Sequence, residues 1–442
     1  MIDASTTLPA GTRSSERSGV TVPSVEPGSG GGAGGPRSPR PSRGRRPSGW
    51  WRFGFPVAMV VLVAAVPALA YVGARTVLDS NDGRLVNRVT DPAAPGWEAI
   101  VEPTPTDMVA TIDADGQLLA VSVLILTGQS TGAVLQIPSE TLVPLTIDGT
   151  ETLGISASFA WSTSGLEGLR ARIGELLNLE FSDAQAVTAA EWAALVGPAG
   201  TLAVDSLDAA VDETGRVVYP KGSFDLAPAE VATYLAVRAR NESEVARLVR
   251  VEAFWQAWLE ALGSAGVQAL PAPADQGLGL FLGTLAAGQV RFETLPVSVE
   301  PGVDGGSELY RPQRDEIEAV VGELVPFPRG APGKRSTVKV LDGTGQLDHG
   351  VAAAVVLGAA GAQVEVIGNA SAFDAATTEI VYYDSSKAAE AELLRDALGF
   401  GDVRKSDQKS AIDIMVVLGQ DALALDGSTA VPGTNAGGAT SG

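Results

Sequence analysis

The chain contains no cysteine and a single histidine in 442 residues. Disulfides and thiol metal ligands are excluded, although export is not, because many exported domains use neither. The one histidine, His349, precedes an Ala/Val-rich helix start and has no serine and aspartate partner at a recognisable spacing, so a surface or capping role is expected for it. The turn Asp342-Gly343-Thr344-Gly345 lacks both the Gly-Lys-Ser/Thr ending of a phosphate loop and the full dinucleotide fingerprint, and reads as a plain turn. Positive charge is scarce beyond residue 52, where 23 basic residues face 49 acidic ones for a net of −26. A body so acidic would repel nucleic acid phosphates and suits soluble display on an anionic surface.

What is present is unevenly distributed. Hydrophobic residues make up 45% of the chain, enough for two or three packed domains. Residues 1–52 are rich in Gly, Pro, Ser and Arg without apolar periodicity, and are expected to form a disordered basic tail. From Phe53 to Ala74 there is no charge, so residues 53–75 read as one membrane-spanning helix. Eight arginines against three carboxylates precede it, and this excess places the tail in the cytoplasm and the remaining chain outside. Trp50 and Trp51 fall where interfacial anchors belong. The Ala68-Leu69-Ala70 pattern leaves a second reading open, a signal peptide cleaved after Ala70.

Residues 76–105 read as a linker, with four prolines between Asn81 and Pro105 and no clear period. Strands are expected at Met108–Ile112, Leu118–Leu126 and Ala133–Ile137, the first two joined by the turn Asp113-Ala114-Asp115-Gly116. Helical spacing marks Leu166–Leu177, Ala189–Val196, a helix opened by Pro228, and a long amphipathic helix from about Glu242 to Leu262. Further strands are expected at Thr201–Val204 and Arg216–Tyr219. After a second linker at 329–336, strands at Thr337–Leu341, Gln363–Ile367 and Glu379–Tyr383 alternate with helices near 348–360 and 388–398, before a last strand within Asp413–Asp421. This alternation predicts α/β architecture in both segments. The Ala-Gly-Thr-Ser tail at 424–442 is expected to be disordered.

The order Val338-Lys339-Val340-Leu341-Asp342-Gly343-Thr344-Gly345, Gly368-Asn369-Ala370, Glu379-Ile380-Val381-Tyr382-Tyr383 and Asp413 through Asp421 resembles the C-terminal domain of the LytR-CpsA-Psr (LCP) envelope family. Residues 106–328 resemble the LCP domain itself through Gln136-Ile137-Pro138-Ser139-Glu140-Thr141, Ala194 to Val204, and Tyr234, Arg238, Arg240, Glu244, Arg247 and Arg250. Val290 through Val297 adds a late strand to the same resemblance. It implies an α/β chain with a single N-terminal transmembrane helix, an LCP-like domain at 106–328 and a small LytR-type module at 337–423. Only six of the 31 basic residues are lysine, while Ala, Gly and Val dominate. That bias points to a GC-rich, actinobacterial source.

LCP proteins transfer a glycopolymer phosphate from a polyprenyl pyrophosphate carrier to peptidoglycan, holding the lipid in an apolar channel. A pyrophosphate calls for clustered guanidinium groups, and Mg²⁺ between its oxygens calls for carboxylates. The resemblance makes Arg238, Arg240, Arg247 and Arg250 the pyrophosphate candidates and Glu140, Asp113 and Asp115 the metal candidates. Phe254, Trp255 and Trp258 could form core or line the lipid channel.

The family pattern is broken at several of these positions. Its arginine is Ser139 here, its next aspartate is Glu140, and its upstream aspartate falls near Ala120 or Val121, where there is no carboxylate. Its later aspartate and glutamine are Glu244 and Val251. A non-catalytic cell-wall binder or scaffold is therefore expected, with membrane, lipid-linked glycopolymer or peptidoglycan as partners and no nucleic acid. The alternatives are an active Mg²⁺-dependent phosphotransferase and a transcriptional regulator. The arginines also have a plainer reading, a solvated helix face with local pairs such as Glu244 to Arg247 and Arg250.

Overall fold

A computed structural model describes residues 89–147, 150–300, 308–331, 333–346 and 349–425, together with two short paired strands at Ser80–Asn81 and Arg84–Leu85. The expected membrane span at 53–75 and both expected tails lie outside the described residues, apart from Ala424 and Leu425. Among the described residues no helix is long and apolar enough to cross a membrane.

The first labelled strand is β1 (Glu98–Ile100), followed by β2 (Thr106–Ile112), β3 (Leu118–Leu126) and β4 (Thr131–Pro138). A hairpin of β5 (Leu142–Ile147) and β6 (Thr150–Ser156) leads into α1 (Ala157–Leu177), whose cap residue Ser156 accepts a hydrogen bond from Phe159 N. Then come β7 (Asp183–Val187), α2 (Ala189–Val196), β8 (Leu202–Ser206) and β9 (Gly222–Leu226), the last two pairing antiparallel. The helices α3 (Val231–Ala236), α4 (Glu244–Ala265) and α5 (Gly277–Ala286) precede β10 (Gln289–Thr294), β11 (Val297–Glu300), β12 (Leu309–Pro312) and α6 (Arg314–Leu324).

The central sheet runs β10-β4-β3-β2-β7, with the two edge strands parallel to their neighbours and the inner pairs antiparallel. Both faces are covered, which explains why β3 is apolar at every position but Ser122 instead of alternating. Ala120, Leu124 and Leu126 pack toward α4 and α5, while Val121, Val123 and Ile125 pack toward α1 and α6. The expected late strand divides at Leu295-Pro296 into β10 and β11, as proline supplies no amide hydrogen to a ladder. Gly288, just before β10, is held so close to Ser130 that an added Cβ would lie 1.6 Å from its carbonyl oxygen. Only glycine lets the edge strand reach that register.

The C-terminal module comprises β13 (Ser336–Asp342), α7 (His349–Ala359), β14 (Ala362–Asn369), β15 (Glu379–Tyr382), α8 (Ala388–Leu398), β16 (Asp402–Lys405) and β17 (Ile414–Leu418). Its sheet order is β16-β15-β17-β13-β14-β1. The segment read from sequence as a linker thus supplies an edge strand to a module that begins more than 230 residues later.

Several family motifs are explained by this packing. Asp342 Oδ1 accepts from the amide and hydroxyl of Thr344, both at 2.7 Å, which fixes the Asp-Gly-Thr-Gly turn, while Oδ2 is buried without a hydrogen-bond partner. Asp413 receives the Thr337 amide at 2.9 Å, and Asp421 receives that of Thr378 at 2.9 Å, fixing the starts of β13 and β15. His349 opens α7 half-buried, with its Nδ1 out of water and without a hydrogen-bond partner, where a surface or capping role was expected.

Candidate functional site

Of the residues singled out by the family pattern, Ser139, Glu140, Glu244 and Arg247 meet at the loop that follows β4. Two helices begin beside it. Ala157 N and Ser158 N of α1 donate to the carbonyls of Thr141 and Ser139, at 2.9 and 2.8 Å. At the start of α4, the Glu244 carboxylate accepts from Ser139 N and, at 3.3 Å, from Glu140 N. Two helix N-termini and two inward-directed amides create a region of positive potential suited to an anion. The anion found there is the chain's own Glu244.

Arg247 completes this arrangement from inside. It is buried, and its guanidinium donates to Leu235 O at 2.8 Å, to Leu119 O at 2.5 Å and to Glu244 Oε1 at 3.3 Å. The contact to Leu119 lies beside Ala120, where the family pattern calls for an aspartate. Burial pushes the Glu244 carboxyl above its usual range, against the opposing pull of Arg247 and the two amides. Burial likewise lowers the pKa of Arg247, which the Glu244 charge partly counters.

Arg250 is buried as well, but its partner is Glu242. Its two terminal nitrogens bond that carboxylate, one of them at 3.1 Å, and one also donates to Val237 O at 2.6 Å. Burial works to raise the Glu242 pKa, but the bonds from Arg250 and the Ala239 amide outweigh it and hold the group below its usual range. Arg238 and Arg240 are exposed, and Arg238 Nε donates to Glu242 O at 2.6 Å. The four arginines thus divide into two internal braces and two surface residues. The solvated-face reading is corrected on two points: the Glu244 to Arg247 pair exists but is buried, and Arg250 pairs with Glu242 instead of Glu244.

The metal candidates Glu140 and Asp113 have local hydrogen-bond partners. Glu140 accepts from Ser158 Oγ at 2.7 Å, while Asp113 accepts the amides of Asp115 and Gln117 in the β2–β3 turn, at 2.9 and 2.8 Å. Among the described residues no group of three or more His, Cys, Asp or Glu side chains is placed to hold a metal ion. Sequence reasoning missed Glu242 and Tyr310, whose hydroxyl receives Glu244 N at 2.9 Å and donates to Glu308 at 3.1 Å. The position of Glu242 eight residues before Arg250 was visible, but a pair formed across a turn leaves no helical-spacing signal.

The aromatic residues form core. Trp192 meets Phe254, Trp255 and Trp258 edge-on at centroid distances of 5.2 to 5.9 Å, and Phe254 stacks on Trp258 at 5.7 Å. Trp255 Nε1 donates to Ser122 Oγ at 3.1 Å, and that hydroxyl donates to Gln136 Oε1 at 2.9 Å, so one indole is satisfied within the apolar layer. Phe254, Trp255 and Trp258 of α4 belong to the same packed cluster as Leu124 of β3.

Among the described residues two cavities are of note. A cleft of about 340 Å³ beside the Arg250 turn is lined by Leu207, Asp208, Asn241, Glu242, Val249 and Arg250. A larger cavity of about 830 Å³ lies between α1, α6 and the C-terminal module, and none of the seven candidate residues lines it.

Residues 335–421 match the family described as LytR cell envelope-related transcriptional attenuator. The C-terminal module is a LytR C-terminal domain, as its motifs suggested. No curated protein matches the chain. Among solved structures, it is similar to the crystal structure of B. subtilis TagV, with 17% identity covering 51% of this chain and 97% of that one at a TM-score of 0.42. It is similar to B. subtilis TagT, with 18% identity covering 54% and 92% at a TM-score of 0.40. It is also similar to the LytR-CPS2A-psr family protein YwtF (TagT) with bound octaprenyl pyrophosphate lipid, with 17% identity covering 54% and 92% at a TM-score of 0.39.

Proposed function

We propose that this chain is a single-pass envelope protein, inserted through residues 53–75 with its N-terminus in the cytoplasm, whose LCP-like domain serves cell-wall glycopolymer assembly as a binder or scaffold without transferase chemistry. One observation carries the non-catalytic reading: the Glu244 carboxylate occupies the amides of Ser139 and Glu140 and is neutralised by Arg247. A pyrophosphate entering that position would have to displace a buried carboxylate and share Arg247 with two carbonyls. Ser139 supplies no replacement charge, and the carboxylates of Glu140 and Asp113 are engaged by Ser158 and by the amides of Asp115 and Gln117. The motif order and the LytR C-terminal match support the envelope assignment.

Binding of a polyprenyl pyrophosphate analogue to the full-length protein, with and without Mg²⁺, tests this reading. The expected result is binding that is absent, or unchanged by Mg²⁺ and by a combined Arg238→Ala and Arg240→Ala substitution. Tight binding that Mg²⁺ strengthens and the double variant loses would revive the phosphotransferase reading, with the two exposed arginines as the phosphate contacts.

A further inference from the structure

The Gly368-Asn369-Ala370 motif at the end of β14 has no part in the arginine site. Its neighbours reveal a different use. β1 adds antiparallel to the outer edge of β14, aligning Ile100, Ala99 and Glu98 with Val366, Ile367 and Gly368. Val101 N donates to Glu365 O at 2.9 Å, Asn369 N to Trp97 O at 2.7 Å, and Gly96 N to Ala370 O at 2.9 Å. Asn369, itself buried, then donates its side-chain amide to Pro92 O and Ala94 O, each at 2.8 Å. Gly368 leaves room for this approach: an added Cβ would lie 2.3 Å from Trp97 O and 2.9 Å from Glu98 Cγ. From the neighbouring strand β13, buried Lys339 reaches across β14 to Glu98 at 2.8 Å.

We infer that the C-terminal module works as a clasp for an extended peptide segment, and that its occupant is the chain's own residues 92–101. Recognition is by strand addition, in which backbone bonds supply most of the affinity. Asn369 reads two consecutive turn carbonyls, and Lys339 reads a carboxylate at the Glu98 position. The consequence is mechanical. The chain passes through the module both before and after the 106–328 domain, so a pull on the N-terminal side is borne by the module's sheet and not by β2. Thr104 reinforces the closure, its amide donating to Phe327 O at 2.9 Å while its hydroxyl accepts from Phe327 N at 3.0 Å. This inference stands apart from the proposed function and holds whether or not the arginine site is active.

Hydrogen exchange on the full-length protein tests the clasp through a charge swap. In the wild type, the amides of Gly96, Val101 and Asn369 should be protected. Glu98→Lys, a change at the rim that leaves the module's core intact, should accelerate their exchange on the order of 100-fold, as expected when a largely buried ion pair is opposed. The double variant Glu98→Lys with Lys339→Glu should restore protection. Wild-type amides exchanging at the rate of an unstructured chain would overturn the inference. So would equal exchange in wild type and Glu98→Lys, or failure of the swap to restore protection. Because the chain has no native cysteine, Ile100→Cys with Val366→Cys provides a second test in an otherwise wild-type background. These positions should form an intramolecular disulfide on oxidation, since directly opposed strand residues fall within bonding range. Reduced thiols persisting under oxidant would contradict the docked register.

Discussion

Replacing Arg247 with alanine should cost about 3 to 5 kcal/mol of stability, the range expected when one partner of a buried ion pair is removed. Three losses coincide. Glu244 would keep its buried position without the opposing charge, and the carbonyls of Leu119 and Leu235 would both lose a donor. The exposed Arg238 and Arg240 give a contrasting expectation, with alanine at either position costing under about 1 kcal/mol. Urea unfolding of the three single variants would measure the difference. A near-neutral Arg247→Ala would mean that the guanidinium is not an internal brace, and would return it to the list of ligand contacts.

The second large effect concerns Asp107, near the start of β2 and buried within the central sheet. Its Oδ2 accepts from Gln185 Nε2 at 2.9 Å, while its Oδ1 lies out of water without a hydrogen-bond partner. Burial, reinforced by the nearby charge of Asp183, raises its pKa from 3.8 to about 7 despite the bond from Gln185. The folded protein therefore holds this proton at pH values where the unfolded chain has released it. The associated stability is fully present below about pH 4 and is lost as pH rises through about 7, amounting to roughly 4 kcal/mol at 1.36 kcal/mol per pKa unit. Asp107→Asn removes this titration while retaining an oxygen for Gln185. Relative to the wild type, the variant should gain stability progressively between pH 4 and pH 8. Unfolding free energies that run parallel for the two proteins across that range would contradict the assignment.

The contrast between legible and hidden parts follows from what each contact requires. Leu118–Leu126 and Ala189–Val196 were visible with their observed bounds, because a run apolar at all but one position and a clean helical period both encode burial locally. The C-terminal strands were equally clear, since each is apolar and bounded by Gly, Asn or Asp turns. β16, with sequence Asp-Val-Arg-Lys, has no such signature: it is a polar edge that becomes a strand only through its parallel pairing with β15. α5 contains three glycines in ten residues and reads as a poor helix. Packing against the sheet overrides that weak propensity. β1 was hidden for a different reason, because three residues among prolines become a strand only once β14 is folded beside them.

The candidate site shows the same division. The residue types around the β4 loop could be aligned with a family pattern, and the loss of charge at Ser139 was plain. The state of the arginines was not, because burial and partner choice depend on how α4 meets the sheet. Glu242, across the turn from Arg250, takes the partner role that helical spacing had assigned to Glu244. The aromatic cluster was open to two readings on sequence, and close ring packing resolves it as core.

Glu244 and Arg247 are proposed to fill from within the position a pyrophosphate would need. The most direct test of this proposal is a transfer assay with the full-length protein, a polyprenyl-pyrophosphate-linked glycopolymer, peptidoglycan and Mg²⁺, following polymer that becomes covalently attached to the wall material. No attachment above the protein-free blank is expected at any Mg²⁺ concentration. Mg²⁺-dependent attachment that falls in the Arg238→Ala, Arg240→Ala variant would contradict the proposal and establish an active transferase.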